Sequence, residues 1–151
     1  MVGRSDRPVA QPRSQSQKLG QEVYRFRVSL KHRRDSWRHV EIQAQQTLGH
    51  FDFILRDAFE HQPMEHLSSF RLLSPGAQEG PLQETDLGTI DPYAEDGTAA
   101  RTIADLELEL KARMRSIYDT WIEHEIELEA VGPLDPRANY PRVLASSKLH
   151  D

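Results

Sequence analysis

Cysteine is absent from the 151 residues, which excludes disulfides, thiolate nucleophiles and zinc sites built on Cys. A metal could be held only by His and carboxylates. Long apolar runs are missing too: nothing approaches the roughly 20 residues of a membrane-spanning helix, and the opening MVGRSDRPVAQPRSQSQ lacks the apolar core of a secretory signal. The expectation is a soluble, cytoplasmic protein that does not associate with membranes. No Gly-rich loop stands between a strand and a helix in phosphate-cradling form, and no GxSxG elbow occurs. No cofactor, no metal and no catalytic residue is therefore assigned. At this length one domain is expected, since domains commonly run roughly 100–150 residues.

The charge is present but unevenly placed. Residues 1–39 carry ten Lys/Arg against Asp6, Glu22 and Asp35, a balance of +7, so the net charge of −5 leaves −12 for residues 40–151. Such an asymmetry raises the question of a nucleic-acid-binding arm on an acidic body, with Arg4, Arg7, Arg13 and Lys18 as its candidate contacts. The competing reading is a solubilising tail. Residues 1–21 are rich in Arg, Ser, Gln and Pro, with too little apolar surface to offset the entropy of ordering. They are predicted to be a disordered basic tail.

From Glu22 the pattern becomes that of a half-buried strand: Tyr24, Phe26, Val28 and Leu30 alternate with Val23, Arg25, Arg27 and Ser29. The segment WRHVEIQ repeats the alternation after the turn-like RRDS, which predicts a hairpin. Tyr24 and Phe26 are assigned to the core rather than to base stacking, because they share the face expected to meet a helix. That helix starts at Thr47, a good N-cap. Leu48, Phe51, Ile54, Leu55, Ala58 and Phe59 form its apolar side, with Asp52, Arg56, Asp57 and Glu60 opposite. A third strand is expected in HLSSFRLL, then a long loop over 74–101, then a short helix at TIADLEL begun by Thr102.

The remaining strands lie in KARMRSIY and in IEHEIELEA. A one-residue slip swaps faces, so only registers with an even residue-number sum set apolar against apolar. A tight turn over Asp119, Thr120 and Trp121 gives a sum of 240. It pairs Met114 with Ile126 and Ala112 with Leu128 inside, and Arg115 with Glu125, Arg113 with Glu127 and Lys111 with Glu129 outside. The row Glu123, Glu125, Glu127 and Glu129 is then a solvated face with matching cations, not an acid–base pair. His124 falls on the apolar side, either as a satisfied core histidine or as a functional one that His66 could approach. Two His and an Asp would suit a metal, although zinc requires a further well-placed ligand.

Taken in order, VYRFRVSLKH, WRHVEIQAQQTLGHFDFILRDAF, HLSSFRL, LGTIDPY, RTIADLEL, YDTWIEHEIELEAV and YPRVLA resemble the plasmid pRiA4b ORF-3-like family over about residues 22–145. The resemblance implies an α+β domain of bacterial or archaeal type: a mostly antiparallel sheet of about five strands in β-grasp-like order, with one main amphipathic helix packed on it. It implies a single domain over 22–145 with a C-terminal tail at 146–151. It brings no established biochemical activity. Carried over position by position, its site-like residues are Trp37, His66, Asp119, Trp121, Glu123, His124, Tyr140, Pro141 and Arg142. Family members usually show a YDFGD-type turn before the Trp/Glu/His strand, whereas here Tyr118-Asp119-Thr120 runs straight into Trp121. A Cys-containing segment that follows Tyr-Pro-Arg in relatives has no counterpart in this cysteine-free chain. The leading expectation is a non-catalytic protein-interaction or adaptor module for an unknown protein partner, recognising it through the 119–121 hairpin and the 74–101 segment. The alternative is a nucleic-acid-associated protein linked to mobile elements that binds through the basic N-terminal region. A hydrolase or metal enzyme around His66, Asp119 and His124 ranks third.

Overall fold

The computed structural model describes residues 22–61, 67–74, 83–91, 93, 96–119 and 121–147. The basic segment 1–21, His66, the stretch 75–82 and residues 148–151 lie outside the described residues.

The alternating segment at the start forms β1 (Glu22–Leu30), and the next forms β2 (Arg33–Gln43). The two pair antiparallel from Val23 opposite Gln43 to Ser29 opposite Trp37. Tyr24, Phe26, Val28, Val40 and Ile42 are buried, as the period of two requires. Helix α1 follows (Leu48–Ala58). Thr47 caps it reciprocally: the His50 N–H donates to Thr47 Oγ1, and the Thr47 N–H donates to His50 Nδ1. The buried stripe of α1 is Leu48, Phe51, Asp52, Leu55 and Arg56. Asp52 and Arg56, expected on the solvent side, are therefore inside.

The chain continues through β3 (Ser68–Ser74), β4 (Gln83–Ile90), two short 3-10 turns (Gly97–Ala100 and Ala104–Leu106), β5 (Arg113–Tyr118), β6 (Ile122–Pro133) and β7 (Arg142–Ser146). One sheet holds all seven strands in the order β4-β3-β5-β6-β1-β2-β7, and every adjacent pair is antiparallel. This corrects the expectation of about five strands in β-grasp-like order. The added strands are the two edges. The segment QETDLGTI reads as loop because of its acids and glycine, but an edge strand needs only a partial apolar face. In β4 only Leu87 and Ile90 are buried, and the exposed Glu84 and Asp86 sit where an edge benefits from charge. β7 is five residues long, paired with β2 only. TIADLEL is likewise not an α-helix: Thr102 bridges to Thr47, and a single 3-10 turn ends at Glu107, whose φ is 53°.

The helical elements among the described residues contribute to one side of the sheet. Leu48, Phe51 and Leu55 of α1, with Ala99, Ile103 and Leu106 from the 3-10 segments, pack on Phe26, Val28, Val40, Ile42, Phe70, Met114, Ile126 and Leu128. β5 and β6 pair in the register with a sum of 240, Met114 opposite Ile126 and Arg115 opposite Glu125.

Gly88 sits at the irregularity where β3 and β4 shift register. Its φ is +115°, and a Cβ there would collide with Thr98 Oγ1, which donates to the Leu87 carbonyl. At Gly97, φ +61°, a Cβ would meet nothing. Gly88→Ala is expected to cost about 3 kcal/mol, and Gly97→Ala, strained but uncrowded, roughly 1–2 kcal/mol, read as shifts in denaturant midpoint. Equal costs would mean that the β4–Thr98 contact does not constrain the edge strand.

Candidate functional site

The inner face of the sheet turns polar at one end. Ser116 of β5 stands opposite His124 of β6, and Ser68 of β3 opposite Tyr118 of β5. Ser68, Ser116, Tyr118 and His124 are all buried. Above them lies the last turn of α1. Its end is a Schellman-type cap: the His61 N–H donates to the Arg56 carbonyl and the Glu60 N–H to the Asp57 carbonyl. Glu60 takes the left-handed position, φ 56°, usually filled by glycine. This cap aims His61 down at the sheet.

There His61 Nε2 meets His124 Nε2 at 2.8 Å, and His124 Nδ1 meets Ser116 Oγ at 2.8 Å. The His61 ring stacks on Tyr118, 4.8 Å between centroids, and Phe59 packs against both imidazoles. Two imidazoles joined nitrogen to nitrogen share one proton on that line. Either Ser116 donates to His124, which donates to His61, or the chain runs in reverse; in both cases the rings are neutral. Protonating both nitrogens would set N–H against N–H. In keeping with this, burial, reinforced by the Arg56 charge, pushes His61 down to about 4. Burial, reinforced by His61, pushes His124 down to about 3, against a smaller opposing effect of the Ser116 hydrogen bond.

Beside the imidazoles is a buried ion pair within α1. Arg56 Nε donates to Asp52 Oδ2 at 2.9 Å and another guanidinium nitrogen donates to Ser68 Oγ at 2.8 Å. The guanidinium also lies 4.9 Å from the Tyr118 ring centroid. Burial raises the pKa of Asp52, opposed by Ser68 and Arg56. A serine hydroxyl bonded to an imidazole is the first element of a nucleophile–base pair, but Ser116 and His124 are 3% and 2% exposed, so no substrate reaches the hydroxyl in this conformation. Among the described residues no three His, Asp or Glu converge on a metal-sized site.

The residues singled out from the sequence do not form one cluster. His124 is inside and Glu123 outside, as parity requires. The partner of His124 is His61; His66 lies outside the described residues. Nothing local in FEHQPMEH marks His61, because the helix ends without the glycine that would locate the cap. Asp119, φ 55°, donates its N–H to the Leu67 carbonyl at the start of the β5–β6 turn, and Trp121 is 67% exposed. Trp37 is half-buried on the outer face, packed at a tilt against His39 and under Arg27. Tyr140, Pro141 and Arg142 sit beside β2 instead: the Tyr140 carbonyl accepts from Gln46 and Arg142 pairs with Glu41 at 2.8 Å.

On the outer face the glutamates have partners, not all of them the expected ones. Glu123 meets Lys31 and Arg115, Glu125 meets Arg34, Glu127 meets Lys111 and Glu129 meets His39. Lys111 reaches Glu127 rather than Glu129 because the chain bends there, with φ 74°. Three of the cations in the 22–39 hairpin are thereby engaged: Lys31 and Arg34 by glutamates, Arg27 over Trp37. Arg38 is also engaged, since it is buried and donates to the Ala58 carbonyl. A hollow of about 140 Å³ opens among Arg27, Arg113, Arg115, Glu125 and Glu127, three cations against two carboxylates. No helix among the described residues is long and apolar enough to cross a membrane.

Fold and site together define a sheet-rich α+β domain with a sealed polar cluster under one end of its sheet. The chain belongs to the plasmid pRiA4b ORF-3-like family, whose description, "Plasmid pRiA4b ORF-3-like protein", it matches over residues 22–149. Among solved structures it is similar to the crystal structure of MM3350, a protein of unknown function from Methanosarcina mazei Go1. The TM-score is 0.61 at 19% identity, covering 83% of this chain and 69% of that one. At that identity the likeness shows the fold alone. No curated protein matches.

Two outcomes follow from the cluster. Below pH ~6.5 the unfolded chain gains protons on its histidines while the folded state refuses them down to about 3–4. Stability should therefore fall with acidification across that window, by up to about 1.4 kcal/mol per pH unit for each histidine. Asp52, with its raised pKa, acts in the opposite direction near the bottom of it. Urea melts at pH 7 and 5 should differ, and His124→Gln should flatten the slope. An unchanged slope would mean that the pair titrates freely. Arg56→Met, which leaves Asp52 buried without its counter-charge, should cost about 3–5 kcal/mol, with much of it recovered in Asp52→Leu/Arg56→Met. If the double variant is no better than the single, the pair is not the unit that matters.

Proposed function

We propose that residues 22–145 form a protein-interaction module, working in the cytoplasm, whose recognition surface is the sheet end that carries Trp121. The observation behind this is Trp121 itself: 67% exposed, it stands on the tight turn between β5 and β6. Large aromatics are rarely left in water without use, and a Trp on fixed backbone offers wide apolar contact at small entropic cost. The turn is fixed by the Asp119 N–H on the Leu67 carbonyl and by Tyr118, whose ring contacts both His61 and Arg56.

Protein is favoured over nucleic acid because Lys31 and Arg34 in the basic hairpin are already paired with Glu123 and Glu125, which leaves them less free to hold phosphate. Arg4, Arg7, Arg13 and Lys18 lie outside the described residues, so deletion of 1–21 is the test of that alternative.

A photo-crosslinking amino acid in place of Trp121, expressed in cells, should give a discrete protein adduct that the same group in place of exposed Phe53 does not. Trp121→Ala should leave the melting temperature within about 2 °C of the parent. A drop of many degrees, with no adduct, would make Trp121 a packing residue and sink the reading.

A further inference from the structure

The interaction reading leaves the partner's chemistry open, and the inference here rests on that reading while going further. Three of the large apolar side chains left in water gather at the same end of the sheet: Leu67, Tyr93 and Trp121, 53%, 78% and 67% exposed. Leu67 immediately precedes β3, Tyr93 follows Ile90 at the end of β4 by three residues, and Trp121 immediately precedes β6. Ser68 pairs with both Ile90 and Tyr118, and the Asp119 N–H reaches the Leu67 carbonyl. These contacts bring the ends of β4, β3, β5 and β6 side by side. Phe53 lies on α1, and Leu110 lies by the opposite end of β5, so neither belongs to this group.

Neighbouring strands are about 4.8 Å apart, so the run from β4 to β6 spans roughly 14 Å, the length of about four or five extended residues. The charge along this run is not symmetric. On the β4 side Asp91 and Asp96 are exposed, and neither has an ion pair among the described residues; the Asp91 carboxylate only accepts the Tyr93 N–H. On the β6 side Lys31 and Arg34 are neutralised by Glu123 and Glu125, leaving Arg33 exposed at the hairpin tip.

We infer that this sheet end binds a short extended segment of a partner protein that carries two apolar or aromatic residues, with Lys or Arg at the end that meets Asp91 and Asp96. The apolar pair covers Trp121, Leu67 and Tyr93, which supplies most of the affinity. The cation fixes direction and speeds encounter more than it tightens the complex.

The test uses the full chain, immobilised, against a random phage-displayed library of short linear peptides, with the best binder then made as a fluorescent synthetic peptide. Enriched sequences should share two apolar residues within five positions and a Lys or Arg at one end. Anisotropy titration should show about a tenfold loss of affinity for Trp121→Ala, and several-fold losses for Tyr93→Ala and for Asp91→Asn/Asp96→Asn. Phe53→Ala should bind as the parent does. Raising salt from about 50 to about 500 mM should weaken binding to the parent and leave the Asp91/Asp96 variant nearly unaffected. Enriched peptides that need Trp121 but are acidic, or indifferent to Asp91→Asn/Asp96→Asn, would overturn the assigned partner chemistry while the interaction reading stands. No enrichment over an unrelated bait, or binding indifferent to both Trp121→Ala and Tyr93→Ala, would overturn the surface. A missing adduct from position 121 in cells would count against the interaction reading itself.

Discussion

Among the described residues, one face of this sheet is covered and the other is not, and most of the architecture follows from that division. Among the described residues, one 11-residue helix and two 3-10 turns lie on the inner side of seven strands. Because side chains alternate along a strand, each strand has to put its apolar set inward and its charged set outward, and a slip of one residue would invert both. The outer face therefore becomes a surface of crossed charges. Glu123 and Glu125 receive their closest cations from the β1–β2 hairpin, two strands and more away in sequence, rather than from β5 alone. Each such exposed pair contributes at most about 1 kcal/mol. Their joint effect is to keep a broad open sheet face free of apolar patches and of excess charge of either sign.

The same division explains where the buried polar groups gather. Helix α1 is about 16 Å long, and its apolar stripe covers the middle of the sheet. Beyond its last turn the inner face continues into Ser68, Ser116, Tyr118 and His124, covered by Phe59 and His61 and by the Arg56 side chain. Polar groups there must find partners inside the protein, since an unpaired one costs about 1–3 kcal/mol. The chain answers with hydrogen bonds from helix to sheet: Arg56 to Ser68, His61 to His124, His124 to Ser116. Geometry at the helix end makes this work. Only with Glu60 held in a left-handed conformation does the chain reverse sharply enough for His61 to face the sheet. That conformation, unfavourable for a glutamate, is part of the cost of closing the cluster.

What could be read from the sequence depended on whether parity or period carried the information. The hairpin, the Thr47 cap, the inward side of Tyr24 and Phe26, and the pairing of β5 with β6 rest on alternation and capping alone, and they were legible. Asp52 and Arg56 show how residue type misleads. With Leu48, Phe51 and Leu55 they complete the spacing i, i+3, i+4, i+7, i+8 of one buried stripe, yet their charge suggests the solvent side. β4 was hidden by the same bias, since an edge strand buries too little to alternate cleanly. His61 could not be found at all: its contact with His124 spans 63 positions, and the helix stop before it carries no glycine. The resemblance named the family and gathered Trp37, Tyr140, Pro141 and Arg142 with His124, but the fold spreads them over both faces and several strands, because order along a chain does not specify convergence in space.

The sealed cluster and the exposed turn meet at Tyr118. This residue ends β5 with its ring stacked on His61 and beneath the Arg56 guanidinium, and three positions later the chain presents Trp121 to solvent. A buried ion pair is a poor source of net stability, because desolvation offsets much of the Coulomb attraction. It is better suited to holding one arrangement against others. In the interaction reading, the rigid support beneath the turn acts on the partner's side of the equilibrium. A Trp whose backbone is already fixed loses little freedom on binding, and each rotamer-rich side chain that must be ordered costs about 0.5–1.5 kcal/mol. The polar cluster then contributes to recognition without touching the ligand. Its positions should tolerate changes that preserve the shape of the Tyr118 contact, and resist those that release it.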